Sequence, residues 1–398
     1  MPPRVLIASH LFPSKTRPNS APWLAEQAGA LAGAGVTVEA LCCSPFESGG
    51  EQILRPGSGA IRVHYRSTSA GVLNGTRAGL ALSALRYNGR ALAFLARRRR
   101  DFDLIHAHFG FPDGYVAVRV GAEMGLPVIV TLHGSDVTRA LAREGAAGAR
   151  IRATIARATH VVCVSEALAD RARTLLPAST PVSVIPNGYD DVVFRLRPTG
   201  VVSGAGAQSL TAVERDHGYL FVGALREVKN IRTLVESYRK RPELHSLPLT
   251  IVGDGPLGSE IAGLARHMPA GARVTLLGEL DRQAVANAMR RARALVLPSS
   301  EEGYGVVAAE ALACGTPVVA SSVGGLPEIL AGEAAGILVE PGDVTALEDA
   351  LVQIASWPHS PAAVASASGA LNWRDRVAEI IALYERVLND AQRGGEQR

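Results

Sequence analysis

Residues 294–321, ALVLPSSEEGYGVVAAEALACGTPVVAS, predict one strand–loop–helix–strand unit. The runs at 294–299 and 317–321 are short and almost continuously apolar, which is typical of strands buried on both faces of a parallel sheet. A helix is predicted from Val306, because the next residues are mostly good helix or core formers. Gly315 and the proline that follows it supply the stop signals of a helix end.

Glu310 lies on an apolar face of this predicted helix. At helical spacing it shares that face with Val306, Ala313 and Cys314. Buried carboxylates without partners are rarely tolerated. Side chains on a helix lean toward its N-terminus, which aims Glu310 at the glycine loop 303–305. The sequence therefore predicts a partner for Glu310 from outside the helix.

The same alternation of short β-rich runs and longer helical segments continues along the chain, which predicts βαβ units and parallel sheets. Strands are predicted at 5–9, 36–42, 103–108, 127–133, 160–165 and 182–186, and then at 219–225, 249–254, 273–279, 294–299, 317–321 and 336–340. The predicted fold class is α/β, with two doubly wound Rossmann-like domains facing each other across a cleft. We predict an N-terminal domain at 1–196, a polar, glycine-rich linker at 197–217, a C-terminal domain at 218–372 and a final helix at 373–398.

Composition indicates an ordinary globular protein. The 398 residues are 47% hydrophobic and 20% charged, and the net charge of +4 is too small for a nucleic-acid binder of this size. The sequence shows neither an apolar run long enough to cross a bilayer nor a signal peptide. Four cysteines without metal-ligand spacing indicate buried thiols in a reducing compartment. We therefore expect a cytoplasmic protein.

One basic cluster, RYNGRALAFLARRRR at 86–100, has two interpretations. Its arginines flank an apolar stripe, which favours peripheral contact with an anionic membrane at the inner face. Arginines also suit the negative end of a helix dipole, so a solvated helix end is the preferred interpretation.

Polar and glycine residues gather where predicted strands end, which is the edge at which open α/β sheets bind ligands. The histidines His10, His106, His108 and His133 follow or close strands of the first half. His106 and His108 share one face of a strand, which permits metal chelation, but a structural role at the strand end is the better interpretation because no third ligand is evident.

Lysine is rare in this chain, which has Lys15, Lys229 and Lys240 only. Lys229 and the nearby Arg226 follow a strand, where two cations suit a diphosphate. The alternative is an exposed lysine at a helix start. The loop 303–305 precedes a helix start, whose N–H groups and dipole suit a phosphate.

These motifs closely resemble the retaining, two-domain glycosyltransferases of family 4, which have the GT-B fold. The hallmark pattern P-S-x-x-E-G-x-G-x-x-x-x-E-A-x-A-x-G-x-P-V-V is matched from Pro298 to Val319, with its two acids at Glu302 and Glu310. The start of the loop at 12–23 resembles the branch that builds bacterial surface polysaccharides, the teichuronic-acid type. Further matches include 251–256 and 323–329.

The resemblance implies roles for individual residues. It implies that Glu310 binds the donor's ribose, that Lys229 with Arg226 holds the diphosphate, and that Glu302 touches the donor sugar. The expected catalytic residues are His133, Glu302 and Lys229. The expected donor-binding residues are Arg226, Lys229, Leu280, Glu302, Gly303, Tyr304, Gly305, Val306, Val307 and Glu310.

The implied function is sugar transfer, with retention, from a UDP- or GDP-sugar to a carbohydrate or lipid-linked saccharide in cell-surface polysaccharide biosynthesis. No metal and no cofactor beyond the donor is expected. The Asp-x-Asp spacing at 101–103 is a poor manganese site, because it lies at the amino end of a strand.

Two departures from the family bear on the phosphate contacts. The chain has Gly223-Ala224-Leu225 where many members carry Gly-Arg-Leu, and its loop at 12–23 lacks glycine.

Two other functions are compatible with the same two-domain fold. One is an enzyme that converts nucleotide sugars, such as an epimerase, and the other is a non-catalytic nucleotide-sugar-binding partner of a polysaccharide assembly complex. A nicotinamide-dependent dehydrogenase is disfavoured, because the turn after the first strand lacks the glycine fingerprint.

Overall fold

The computed structural model describes residues 2–57, 59–69, 77–196 and 218–396. The chain divides into two compact units. The first unit comprises Met1–Gly188 and Asn372–Arg398, and the second comprises Tyr189–Leu371. The predicted linker at 197–217 lies outside the described residues.

The first unit is built on an eight-stranded sheet in the order β3-β4-β2-β1-β5-β6-β7-β8. All neighbouring strands are parallel except β3 and β4, which are antiparallel. Its strands are β1 (Arg4–Ser9), β2 (Thr37–Ser44), β3 (Gly50–Leu54), β4 (Ile61–Ser67), β5 (Leu104–His108), β6 (Val128–Leu132), β7 (His160–Cys163) and β8 (Val182–Val184). Its helices are α1 (Pro22–Gly33), α2 (Arg77–Arg98), α3 (Tyr115–Met124), α4 (Gly145–Ile155), α5 (Glu166–Leu175) and the C-terminal α13 (Trp373–Glu396).

The second unit has a six-stranded, fully parallel sheet in the order β11-β10-β9-β12-β13-β14. Its strands are β9 (Tyr219–Val222), β10 (Leu249–Val252), β11 (Val274–Leu276), β12 (Ala294–Leu297), β13 (Val318–Ser321) and β14 (Gly336–Val339). Its helices are α6 (Ile231–Lys240), α7 (Gly258–Arg266), α8 (Arg282–Arg291), α9 (Val306–Ala313), α10 (Leu326–Ile329), α11 (Val344–Ala355) and α12 (Pro361–Ser366). This strand order is that of a Rossmann fold.

The prediction of two doubly wound α/β domains is confirmed, and every predicted strand is present. The central strands β5, β6, β12 and β13 are buried along their whole length, as their continuous apolar runs predict. Strands β3 and β4 were not predicted, because neither forms a continuous apolar run: β3 is largely polar and exposed, and β4 alternates polar and apolar residues. Ile61, Val63 and Tyr65 of β4 are buried, whereas Arg62 between them is exposed.

The boundary between the units differs from the predicted one. Residues 189–196 were placed in the first domain but belong to the second unit. The Arg290 guanidinium donates hydrogen bonds to the backbone carbonyls of Val193 and Arg195, and Phe194 is buried. The segment has no periodicity from which these contacts could be predicted.

Candidate functional site

An ion pair of the second unit lies at the ends of the neighbouring strands β9 and β12. These strands are neighbours in the sheet, but the chain leaves β9 toward β10 on one side and returns at β12 on the other. Such a switch point is where open α/β sheets bind ligands. Lys229, after β9, and Glu302, after β12, meet there with Nζ and Oε2 2.5 Å apart. The sequence placed both residues at this edge but did not predict that they pair.

The loop that carries Glu302 is held by a second glycine turn. The backbone N–H of Gly325 donates to the carbonyl of Gly303 at 3.2 Å. Gly324 has a φ of 56°, and a β-carbon there would lie 1.9 Å from the carbonyl oxygen of Glu302. Tyr304 is buried beside this turn. The turn 323–325 therefore fixes the backbone of Glu302, and the sequence motif at 323–329 gave no indication of that role.

Helix α9 begins directly after this loop, as predicted. Gly305 precedes it with a φ of 100°, and Val306 and Val307 form its first turn. The first N–H groups of a helix have no partner within the helix, and its dipole is positive at that end. The predicted residues Gly303, Tyr304, Gly305, Val306 and Val307 are thus brought together with Glu302 in one loop and helix start, an arrangement that suits an anion.

Glu310, on α9, is 4% exposed and has an arginine partner. Its Oε1 lies 3.1 Å from Nη2 of Arg282, the first residue of α8. Burial raises the pKa of the Glu310 carboxyl to about 7, while the charge and hydrogen bond of Arg282 oppose that rise. The partner from outside the helix is therefore present, but sequence reasoning did not identify Arg282.

Arg282 is itself held in place. Its guanidinium carbon lies 4.7 Å from the centre of the Phe194 ring, and the preceding residue, Asp281, caps α8 by accepting the N–H of Ala284 at 2.8 Å. The Asp-x-x-Ala spacing signals a helix start. It does not show which way the next side chain points, so the sequence carried no signal for this pair.

The other predicted donor-binding residues lie at ends of neighbouring strands. Arg226 is exposed in the turn between β9 and Lys229, and Leu280 is half-buried in the turn after β11. Strand-end packing is close here, since the N–H of Gly253 donates to the carbonyl of Gly278 at 2.8 Å. Both residues are at the same edge of the sheet as Lys229.

His133 lies at the carboxyl edge of the first unit, in an aromatic cluster. Its ring centre is 4.5 Å from that of Trp23 and 4.8 Å from that of Phe109, and its Nε2 is 3.1 Å from Nδ1 of His108. Burial lowers the pKa of His133 to about 3. The ring is therefore neutral, and its buried Nδ1 has no hydrogen-bond partner within the described part of the chain. Trp23 was not predicted as part of this cluster.

His106 has a structural role, as expected. Its Nδ1 is 2.6 Å from the Tyr384 hydroxyl and its Nε2 is 2.7 Å from the Thr131 hydroxyl. Burial lowers the pKa of His106 to about 3. Both nitrogens are occupied, so this ring has none left for a metal.

The Asp-x-Asp pair at 101–103 is bound to arginines. Asp103 accepts from Arg4, with 2.6 Å between Oδ1 and Nη2, and Asp101 accepts from Arg98 at 2.7 Å. Across the described residues, no group of three or more His, Cys, Asp or Glu side chains is placed to hold a metal ion.

The apolar stripe of the basic cluster 86–100 faces the protein interior. Tyr87, Ala91, Phe94 and Leu95 are buried, and Arg98 is bound to Glu39. Arg90 and Arg97 are exposed. The stripe is thus not available to enter a lipid surface. Among the helices that the structure describes, none combines the length and the apolar character needed to cross a membrane.

Comparison with known proteins agrees with this arrangement. Residues 23–192 match the family model Glycosyltransferase Family 4, and residues 207–368 match Glycosyl transferases group 1. Both halves of the chain belong to glycosyltransferase families. The resemblance predicted from the Glu302–Glu310 pattern is confirmed.

Individual relatives are distant. The N-acetyl-alpha-D-glucosaminyl L-malate synthase of Bacillus anthracis is 27% identical over 65% of this chain and 66% of its own length. The putative teichuronic acid biosynthesis glycosyltransferase TuaC of Bacillus subtilis is 27% identical over 88% of each chain. The matched region thus spans slightly less than two thirds of the first of these glycosyltransferases and most of the second.

A solved structure shares the fold. Anabaena Alr3699/HepE, determined in complex with UDP, superposes with a TM-score of 0.65 at 17% identity, covering 99% of both chains. This likeness shows the fold alone, which is the two-domain GT-B fold.

Proposed function

We propose that this glycosyltransferase moves a sugar, with retention of configuration and without a metal, from a nucleotide-sugar donor to a carbohydrate or lipid-linked saccharide. The observation that carries the proposal is the Lys229–Glu302 pair at the switch point of the second unit, beside the first turn of α9. A cation, a helix N-terminus and a glycine loop at one strand edge suit a diphosphate.

The donor's diphosphate occupies the edge around Lys229. Its oxygens replace Glu302 as the partner of the lysine ammonium, and Arg226 and the first N–H groups of α9 supply further positive charge. Negative charge develops on the leaving diphosphate during transfer, so cations preorganised here lower the barrier. Glu302, released from Lys229, contacts the donor sugar.

Glu310 holds the nucleoside. A carboxylate accepts hydrogen bonds from two neighbouring ribose hydroxyls, and the pairing with Arg282 favours this ionised form against the effect of burial. Leu280 lies against the base. UDP and GDP are the proposed nucleotides, and the UDP complex of Alr3699/HepE supports the first of them.

Retention takes place by attack on the same face from which the leaving group departs, and the leaving phosphate takes the proton of the acceptor hydroxyl. His133, neutral and enclosed by aromatic rings, is the proposed contact of the first unit with the reacting sugar. NMR of the anomeric proton in the first product tests retention. Transfer measured with and without EDTA tests metal independence, and a loss of transfer that added Mn²⁺ restores would contradict it.

The acceptor belongs to cell-surface polysaccharide biosynthesis, which the 88% overlap with the teichuronic acid glycosyltransferase supports. A thermal-shift screen of UDP-, GDP- and ADP-sugars identifies the donor first, because a ligand that binds the folded state raises Tm. Transfer from that donor to a panel of saccharides and lipid-linked saccharides then tests the function. Donor isomerised in the absence of acceptor would instead show an epimerase. Tight donor binding without transfer to any member of the panel would show a binding partner.

Peripheral attachment at the cytoplasmic face of the membrane would be electrostatic only, since the apolar stripe of 86–100 is buried. Arg90 and Arg97 are two of the exposed charges available for such contact. Flotation with neutral and with anionic liposomes tests it, using R90Q/R97Q as the matched variant. Equal recovery of the wild type with both liposomes would end the proposal.

A further inference from the structure

A histidine, an aspartate and a tyrosine form a hydrogen-bonded chain at the switch point of the first unit, between β1 and β5. His10 directly follows β1, and its Nδ1 is 2.5 Å from Oδ2 of Asp113. The other carboxylate oxygen of Asp113 accepts the Tyr87 hydroxyl at 2.6 Å. Asp113 is fully buried. It is therefore a fixed acceptor that orients the His10 ring.

His10 differs from the other histidines at this edge in having an open nitrogen. Its side chain is 29% exposed, and within the described residues its Nε2 makes no hydrogen bond and is not enclosed. In contrast, both nitrogens of His106 are bonded, and the unbonded Nε2 of His108 is buried. A purely structural histidine at a strand end would not need one nitrogen facing solvent.

The charges around His10 favour a basic ring. Burial lowers the pKa of His10, but the charge and hydrogen bond of Asp113 outweigh it, with Asp136 adding to the rise and Arg17 opposing it. The net pKa is raised. Because Nδ1–H is donated to Asp113, the neutral ring must leave Nε2 as a hydrogen-bond acceptor.

An aromatic wall stands beside this nitrogen. The Phe109 ring centre is 5.1 Å from that of His10 and 6.2 Å from that of Trp23. Sites for small polar molecules commonly combine such apolar faces with a few fixed polar atoms. A polyol such as a saccharide presents both C–H faces and hydroxyl groups, so the arrangement matches its chemistry.

We propose that His10 binds a hydroxyl of the saccharide acceptor, which donates its hydrogen bond to Nε2, and that Asp113 and Tyr87 position the ring for this contact. The proposal rests on the proposed function, since it assigns an acceptor contact to the same transfer reaction. No proton is taken up in this contact, and the acceptor's proton still leaves with the diphosphate.

Two substitutions at His10 distinguish the roles of its two ring nitrogens. H10N retains an amide near the position of Nδ1, so it keeps the contact with Asp113 but loses Nε2. H10Q places an amide near the position of Nε2. We expect H10N to lower kcat/KM for the acceptor about 10- to 100-fold, as for loss of a hydrogen bond to a polar group, with H10Q less affected. Donor affinity, measured by calorimetry, should stay within about twofold in both, because His10 belongs to the first unit and the proposed donor-binding residues belong to the second.

The pH profile supplies a readout that a structural role would not move. In the wild type, kcat/KM for the acceptor should rise with pH as His10 loses its proton, with a midpoint above the ordinary histidine value. In H10Q that rise should vanish. In D113N the lost negative charge should move the midpoint to lower pH.

The control is H160N, since His160 is a half-buried histidine of the same unit whose Nε2 lies 2.9 Å from the Ser183 hydroxyl. Acceptor kinetics of H10N equal to those of the wild type, or an unchanged pH profile in H10Q, would overturn the proposal. If the wild type binds donor but transfers to no acceptor, the proposed function fails instead, and the two failures are distinguishable.

Discussion

Arg282 and the buried Glu310 form an ion pair in the second unit, with 3.1 Å between Nη2 and Oε1. Without the arginine, burial alone would favour the protonated carboxyl, which cannot accept two hydrogen bonds from a ribose with both oxygens. The pair therefore sets the form of Glu310 that is present when a nucleotide arrives. The effect of this pair on nucleotide affinity and on the free energy of unfolding can be measured separately from its effect on sugar transfer.

Removing the arginine should weaken donor binding in a pH-dependent way. In R282M the pKa of Glu310 should rise above about 7, so donor affinity near neutral pH should fall about tenfold and recover as the pH is raised further. Calorimetric titration of the nucleotide at several pH values measures this. R291M, an exposed arginine at the other end of α8, is the control. Affinity of R282M equal to that of the wild type at every pH would contradict the prediction.

The raised pKa of Glu310 should also appear in the pH dependence of folding. The folded-state pKa of about 7 lies above the ordinary glutamate value of 4.5, so the folded state binds more protons between these values. The contribution of this carboxyl to stability is therefore fully present below the lower value and falls as the pH rises to the upper one, by about 3 kcal/mol in full. The buried histidines His106 and His133 have lowered pKa values and act in the opposite sense, so the fall is measured by urea unfolding as the difference in unfolding free energy between the wild type and E310Q. E301Q, an exposed acid of the adjacent loop, should keep it.

Lys229 should matter far more than another lysine of the same unit. K229A removes the cation at the switch point and should slow transfer about 100-fold or more, as for loss of one preorganised group at a developing charge. Lys240, at the exposed end of α6, lies 3.9 Å from Glu236 and is the matched control. K240A should transfer at the wild-type rate. Similar rates for the two variants would remove Lys229 from the proposed mechanism.

The turn that supports Glu302 can be tested with two glycines of positive φ. Gly324 has a φ of 56°, and a β-carbon there would lie 1.9 Å from a backbone oxygen, whereas Gly342 has a φ of 86° and a β-carbon there would have no atom within 4 Å. G342A should lose about 1–2 kcal/mol of stability from backbone strain alone. G324A should lose about 2 kcal/mol more, and also transfer activity, because Glu302 must move. Equal unfolding free energies of the two variants, by urea titration, would show that the turn is not rigid.

Much of the fold could be predicted from local pattern. Continuous apolar runs identify the parallel strands because both of their faces are covered, and Gly315 marks the end of α9 with a φ of 75°. Strands β3 and β4 could not be found by the same rule, since the antiparallel edge is partly exposed and neither strand forms a continuous apolar run. The extent of the second unit depended on contacts of Arg290 with residues nearly a hundred positions earlier, which no local pattern reveals.

The residues of the candidate site also fall into those that a local sequence pattern predicts and those that it does not. Residues within one motif, from Glu302 to Glu310, were predictable because their spacing along the chain fixes their placement. Arg282, Asp113 and Tyr87 were not, because each acquires its role from a partner on another element. The sequence shows that Glu310 needs a partner, but only the packing of α8 against α9 shows that it is Arg282.

Binding of UDP and GDP to the wild type and to E310A, measured by isothermal titration calorimetry, tests the central claim most directly. One of the two nucleotides should bind the wild type, E310A should lose about 100-fold or more of that affinity, and E301A should retain it. Binding by E310A as tight as that of the wild type would contradict the assignment of Glu310 as the group that holds the donor.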